Sequence, residues 1–511
     1  MRYTCVDTTE FLYPDITEYQ SGTESIHILT PRGSYACAQI LFSEISEKRL
    51  NIRFEGFEPE VYEMVPIFVE ENHLLDERNS HPHIPERAAP FCVYDCLKPV
   101  KNSLSVDKNG VSAIYFSEKI PCEAEVGVRY GKIIVDNIEI LVEIEVSNVL
   151  IPSESLTILQ GYDRNCVCRY HNAEFGTDEF EELDTKYLKA LRRMRQNMLY
   201  CPGPDVKDLG NNEYEISFTN MESFIDKARS LGFKYFNYGL GFRRSWKEST
   251  ILIRDMEAMS FECYCYLAQM LPALENFLKN KGLQNSFYLG VADEPNEENA
   301  MEYRALSGLI RKLAPSIKLM DAMSSSLVHG AIDVWIPLSA EYQAHKDEFD
   351  NFRKYGDEIW FYDCNNPRGG KTINRFMDYA LLATRYHFWA AYRYGLTGYL
   401  HWAANGYQPG QDPFKQSCPE HRNADFVCHL PPGDTHIVYP GENAPWMSVR
   451  LEAYRESAEE YELLSLLSKY DKEKADEICY SVCREFDDVN YDPKAFKEAH
   501  NKLIRTLESK C

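Results

Sequence analysis

No apolar run in this sequence is long enough to cross a membrane. The richest stretch, YALLATRYHFWAAYRYG at 379–395, carries two arginines and a histidine, whereas a span needs about 20 mostly apolar residues. The opening residues, MRYTCVDTTEFLYPDITEYQ, lack the apolar core of a secretory leader, which sets the expectation of a cytoplasmic protein. Basic residues are scarce: 55 Lys and Arg stand against 79 Asp and Glu, for a net charge of −24. So acidic a surface repels phosphate backbones and anionic lipid. Nucleic acid and membrane are therefore not expected partners, while a neutral ligand is compatible. Zinc-type cysteine spacing is also missing. The sixteen cysteines include the close pairs Cys166/Cys168, Cys263/Cys265, Cys92/Cys96 and Cys479/Cys483, but no double CxxC pattern. In a reducing compartment they read as free thiols. Repeats and low-complexity tracts are absent as well.

What is present divides the chain in three. Residues 1–150 carry short β-like runs, among them YACAQILFSEI, LNIRFEGF, EVYEMVPIFVEE, VSAIYFSEKI and KIIVDNIEILVEIEV. Runs at this spacing predict an antiparallel β-sandwich. SNVLIPSES at 147–155 reads as a linker. Over 151–470 apolar β-like runs alternate with helical patterns, including long helices at 255–281 and 375–395. The strand candidates are LTILQGYD, NMLYCPG, KYFNYGLGF, SFYLGVADEP, IKLMDAMS, DVWIPLSAEY, EIWFYDCNNP and TGYLHWAANGY. Eight β/α units predict a (β/α)8 barrel of the triosephosphate isomerase type. Apolar strands suit it, because parallel barrel strands are covered on both faces. Near the end, SVRLEAYRESAEEYELLSLL spaces Leu451, Tyr454, Ala458, Tyr461 and Leu464 at helical intervals. Residues 471–511 read as a helical tail.

Active sites of such barrels gather at the C-terminal strand ends. Tyr238, Phe242 and Arg243 follow the third candidate strand, Asp293 and Glu294 the fourth, and Asp321 lies in the fifth. Glu341 and Tyr342 end the sixth, Asp363, Asn365 and Asn366 the seventh, and His401, Trp402 and Asn405 the eighth. Acids, amides and aromatic rings together suit a carbohydrate, whose apolar faces stack on rings and whose hydroxyls need polar partners. The residues singled out for substrate binding are Tyr238, Arg243, Tyr342, Asp363, Asn365, His401, Trp402 and Asn405.

VADEPNEE at 291–298 has two readings. Asp293 or Asn296 can cap the helix that follows, with Pro295 and Glu297/Glu298 suited to its first turn. Alternatively, Asp293 and Glu294 do chemistry. A like-charged neighbour in a partly desolvated pocket raises one carboxyl pKa, which leaves an acid beside an anion near neutral pH. Adjacent strand residues point to opposite faces, so both can aim at one ligand only where the strand has already broken. Conventional glycosidases hold their carboxyls on either side of the bond, ~5–5.5 Å or ~6.5–9.5 Å apart. Sequence neighbours fit substrate assistance better: the sugar's own 2-acetamido oxygen attacks, one acid orients that amide, and the other protonates the leaving oxygen.

VADEPN (291–296), GYLHWAANGYQPGQDPF (398–414), GDTHIVYPG (433–441) and SVRLEAYRESAEEYELL (448–464) together resemble glycoside hydrolase family 123 over about 1–470. That resemblance implies a β-N-acetylgalactosaminidase with an N-terminal β-sandwich and a (β/α)8 barrel. By the same match Asp293 polarises the acetamido group, Glu294 is the acid/base and Trp402 floors the sugar. Two other readings stay open. DEP also resembles the NEP motif of conventional retaining barrels, with Asp363 then the nucleophile. A non-catalytic glycan-binding barrel is the third possibility. NPRGGKT (366–372) lacks the first glycine of a phosphate loop, and HPHIPER (81–87) reads as surface histidines. No metal or organic cofactor is implied, and nothing in the residues fixes an oligomeric state.

Overall fold

The computed structural model describes residues 1–72, 87–243, 247–323, 325–368, 372–422 and 425–510. Residues 81–86 of HPHIPER and 369–371 of NPRGGKT lie outside the described residues.

The fold is mixed α/β. A seven-stranded antiparallel sheet takes Arg2–Val6, Tyr35–Ser43, Ser112–Lys119, Glu60–Val69 and Phe91–Val100 in that spatial order. It then adds Pro445–Ser448 and Val438–Pro440 from the far end of the sequence, through Met447↔Leu97 and Ser448↔Cys96. A five-stranded sheet runs Ile26–Arg32, Ile138–Leu150, Gly127–Val135, Arg49–Glu55 and Ser103–Ser105. The two share a core that includes Ile40 and Phe42 of one and Ile133 and Val142 of the other. The run KIIVDNIEILVEIEV is two strands, turned at Asp136, whose φ is 49°. The expectation of wholly antiparallel pairing fails at one place: Ile26–Arg32 lies parallel to Ile138–Leu150. Short turns impose antiparallel neighbours, and no short turn joins these two strands.

Two curled parallel sheets follow. One has six segments in the order Met198–Tyr200, Tyr235–Gly241, Phe287–Ala292, Lys318–Met323, Val334–Pro337 and Glu358–Ile359. The other has three, Thr157–Gln160, Gly398–His401 and Phe361–Asp363. They meet at Trp360, whose N–H donates to Trp335 O (2.8 Å), and at the parallel bridge Leu338↔Tyr362. At the other junction the Asn197 side chain substitutes for a ladder: its Oδ1 accepts from Ile158 N (3.0 Å) and its Nδ2 donates to Leu156 O (2.9 Å). Inside the curl, Leu159, Met198, Tyr288, Met320, Val334, Trp360 and Leu400 pack together. FYLGVA at 287–292 is buried throughout, as a strand covered on both faces must be.

The helices correct two boundaries. The 255–281 helix begins at Phe261, after Ser260 caps Cys263 N (3.1 Å) and after the small hairpin Leu252–Ile253/Met256–Glu257. The 375–395 helix is two pieces, Leu381–Arg385 and His387–Tyr394. Its expected first turn instead holds Arg375, buried, which donates to Gln160 Oε1 (2.7 Å) and Ala403 O (2.6 Å). Helix Val449–Tyr470 is capped by Ser448, whose Oγ accepts from Leu451 N (3.0 Å). Helices Lys472–Val482 and Pro493–Glu508 close the chain, and Cys479, Phe496 and Leu503 share the core of the parallel sheets. None of the cysteines among the described residues is in a disulfide. No helix among those residues is long and apolar enough to cross a membrane.

Candidate active site

The strand Phe287–Ala292 delivers the acid pair. Its ladder to Lys318–Met323 ends at Gly290↔Met320. Beyond that point Val291 N and Ala292 N both donate to Asp321 Oδ2 (2.8 and 2.9 Å), which also accepts from Tyr303 Oη (2.6 Å). Glu294 then sits at φ 47°, and its N–H donates to Ala322 O (3.1 Å). A non-glycine residue in the left-handed region is uncommon and clusters at functional sites. Here it undoes the strand alternation, so the two carboxyls need not face opposite ways.

Glu294 is half-buried, and its Oε1 accepts from Tyr362 Oη (2.5 Å). Asp293 keeps open surface, while many protein atoms lie around it. Loss of hydration first, and then the charges of Glu294 and Asp321, push its pKa up to about 8 against the pull of Arg243. Arg243 donates to the backbone carbonyls of Glu294 (3.0 Å) and Asp293 (3.4 Å). Asp321 itself is raised to about 6 by burial, with its three donors opposing. Tyr200 ends the second parallel strand 40% exposed, and the surrounding protein and then the charges of Asp293 and Asp321 raise its hydroxyl pKa.

Trp402 supplies the flat surface. Its ring is 37% exposed, and its Nε1 donates to Asp434 Oδ2 (3.1 Å). A Cβ on Gly406 would stand 2.8 Å from the indole edge and one on Gly161 1.9 Å from Trp402 O. Only glycines permit this placement. A large apolar ring fixed at its polar end and partly open to solvent is suited to stacking.

The remaining expected residues are placed elsewhere. Asp363 and His401 alternate with Tyr362 and Trp402 and so face the helices. Asp363 is buried and accepts from His387 Nε2 (2.6 Å) and Tyr399 Oη (2.7 Å). His401 is buried with its Nε2 3.3 Å from Asp434 Oδ1, and desolvation and then the charge of Arg375 hold its pKa well below the usual value. Tyr342 is buried beside Phe349, Tyr394 and Phe486, with its hydroxyl on Asp350 (3.1 Å). Tyr238 packs on the outer core and fills the space above Gly203. Asn405 is a clamp between two loops, accepting from Asp163 N (2.8 Å) and donating to Asp163 O (2.9 Å). Asn365 is half-buried, and its Oδ1 accepts from Cys364 Sγ and Asn366 Nδ2, both at 3.2 Å. The structure thus sets Arg243 on the backbone carbonyls of Asp293 and Glu294, and leaves Trp402 partly open at the end of its own strand, held by Asp434. It does not bring Tyr238, Tyr342, Asp363, His401 or Asn405 to the acid pair.

Sequence reasoning passed over Tyr362, Tyr200 and Asp434. The signal for the first was available: residues two apart share a face, and Trp360 and Tyr362 both point into the curl. Removing the Tyr362 hydroxyl tests its part. A hydrogen bond to a charged group contributes ~1.5–3 kcal/mol. Tyr362→Phe is therefore expected to cut turnover by about 10-fold or more without shifting the thermal unfolding midpoint downward, as steady-state kinetics and calorimetry would read. Among the described residues no set of three His, Cys, Asp or Glu side chains converges as a metal site.

Comparison with known proteins supplies the context. The sequence model of glycoside hydrolase 123, catalytic domain, matches residues 162–467. Over 100% of this chain and 99% of the other, the fold is similar to a family 123 glycoside hydrolase from Clostridium perfringens studied for glycolipid glycan hydrolysis, with a TM-score of 0.75 and 14% identity. A family 39 glycoside hydrolase from Bacteroides cellulosilyticus WH2 aligns over 86% of this chain and 82% of its own, with a TM-score of 0.38 and 10% identity. No curated protein matches the sequence.

Proposed function

The chain belongs to glycoside hydrolase family 123, and on that premise we propose that it removes a terminal β-linked N-acetylhexosamine, foremost N-acetylgalactosamine, with retention and by substrate assistance. The observation that carries this reading is the broken strand end, where Glu294 at φ 47° meets the Tyr362 hydroxyl beside Asp293. The similarity to a hydrolase of glycolipid glycans supports a glycan substrate. In this reading the two parallel arcs work as one (β/α)8 barrel over 151–470, with a β-sandwich over 1–150 before it and the helical tail 471–511 after it.

The sugar lies with an apolar face on Trp402 and its 2-acetamido group at Asp293. The acetamido oxygen attacks the anomeric carbon as the bond to the leaving oxygen breaks, and Glu294 gives that oxygen its proton. Asp293 takes the hydrogen bond of the acetamido N–H and balances the positive charge of the oxazolinium ion. Glu294, now a carboxylate, removes a proton from water, which attacks the same carbon and reopens the ring. With Asp293 raised to about 8, the free pair holds one proton near neutral pH. Binding the amide N–H at Asp293 leaves that proton to Glu294. Activity is accordingly expected to fall as pH rises through about 8.

A conventional nucleophile finds no support at Asp363, whose two oxygens are occupied by His387 and Tyr399 on the helical side of its strand. The test is a panel of aryl β-glycosides: N-acetylgalactosaminide, N-acetylglucosaminide, galactoside and glucoside. Turnover confined to the acetamido sugars, with inhibition by a thiazoline mimic of the oxazoline, is the expected result. Equal turnover of the plain glycosides sinks substrate assistance.

A further inference from the structure

The carbonyls of Leu319 and Met323 accept from Asp333 N and Leu338 N on one side of their strand. Alternation therefore turns those of Met320 and Ala322 toward the strand of the acid pair. An unbroken ladder would pair them with amides two apart, those of Val291 and Asp293. Ala322 O instead receives the amide of Glu294, one residue late. This is a β-bulge, the device that re-aims side chains beside active sites. What fills the gap is Asp321, with Val291 N and Ala292 N both on one of its oxygens. Consecutive amides of an extended strand point opposite ways, and they converge on one anion only when the backbone curls around it. On its other edge the strand stays paired to Gly241↔Ala292, so the disturbance is confined to the Asp321 side. Gly290 makes room for it: a Cβ there would stand 3.3 Å from Asp321 Oδ1.

We infer that Asp321 is the positioning residue of the site, a buried wedge that creates the bulge at 291–294 and so turns Asp293 and Glu294 toward one cavity. For its kinetic consequences the inference rests on the reading above; for its structural ones it does not. Asp321 touches no reacting atom and acts through the backbone it holds.

The test compares Asp321→Asn with Asp321→Ala. Asparagine keeps an acceptor for both amides and loses only the charge. Its crystal structure should superpose on the native chain at 290–294, with turnover within about 10-fold of native and the alkaline limb of the pH profile moved to lower pH. Alanine removes the wedge. Its crystal structure should show the amide of Asp293 recaptured by Ala322 O and Glu294 out of the left-handed region. Turnover should drop about 100-fold with KM little changed, since ~1 Å of misplacement costs that much. An alanine structure with 291–294 unmoved, or an alanine variant as active as the asparagine one, overturns the inference. A native protein inert toward every N-acetylhexosaminide overturns the proposed substrate instead, and the two crystal structures still decide the role of Asp321.

Discussion

Glu294→Gln is expected to lower turnover of an acetamido glycoside by about 10²–10⁴-fold, the range for loss of a general acid, with the fold intact. The amide keeps the size of the carboxyl and an acceptor for Tyr362 Oη, so only the transferable proton is lost. Asp293→Asn should lose a similar factor, because the amide carries no charge to balance an oxazolinium. The two variants should nevertheless part in stability. Asp293 has a folded pKa of about 8, well above the ~3.9 of an unfolded aspartate. Between those values the folded chain holds a proton that the unfolded chain has released, so the stability this group lends is full below pH ~4 and is lost as pH rises through about 8. Asparagine cannot ionise and escapes that loss. Asp293→Asn should therefore melt higher than the native protein at pH 8, with the difference closing toward pH 4. Kinetics together with calorimetry at the two pH values checks this. An Asn variant that is fully active, or that melts lower at pH 8 than the native protein, refutes the account of Asp293.

Asp95→Ala is expected to be the most damaging single change far from the site. Asp95 and Arg450 are fully buried and form a two-pronged pair, Arg450 Nε to Oδ1 (3.0 Å) and Nη2 to Oδ2 (2.9 Å). Tyr439 Oη donates to Asp95 as well (2.5 Å). The remaining guanidinium donors reach Gly433 O (2.8 Å), His436 O (2.9 Å) and Arg375 O (3.2 Å). Asp95 lies on a strand of the seven-stranded sheet and Arg450 in the first turn of the long helix, so the pair welds the two layers. Breaking such a pair by deleting one partner costs about 3–5 kcal/mol, because the other charge stays buried and alone. Replacing both by apolar residues of similar size, as in Asp95→Leu with Arg450→Met, should recover much of that loss. Denaturant unfolding measures both. A single variant within ~1 kcal/mol of native would show that the pair contributes nothing net.

The repeating order of the parallel strands was legible because each is an apolar run covered on both faces, and VADEPN stood out because two acids ended one of them. What the residues hid was direction. Asp363 and His401 were singled out for their polarity at strand ends, yet strand alternation turns them outward and turns Tyr362 and Trp402 inward. The helix Val449–Tyr470 hid something else. Leu451, Tyr454 and Leu464 do mark a buried stripe, but Arg450, Glu452, Arg455, Glu459 and Glu460 are buried too. Arg455 reaches Glu452 (2.7 Å) and Glu459 (2.9 Å), and Arg385 reaches Glu460 (2.6 Å). A charged residue reads as surface until its partner is known, and these partners include Arg385 and Asp95, which lie far away in sequence. The bulge was invisible for a similar reason: it is made by a carboxylate from the neighbouring strand.

The seven-stranded sheet takes its last two strands, Val438–Pro440 and Pro445–Ser448, from the far end of the chain. During synthesis the first five emerge long before the ribosome has read the codons for the other two. Until then the Phe91–Val100 strand, bridged at Tyr94 by Leu12, leaves its Cys96–Leu97 stretch without a partner, a short open edge of the kind that captures foreign strands. The sheet is thus completed only once residues 438–448 have been made, and a nascent chain stalled before them leaves Cys96 and Leu97 without their partners.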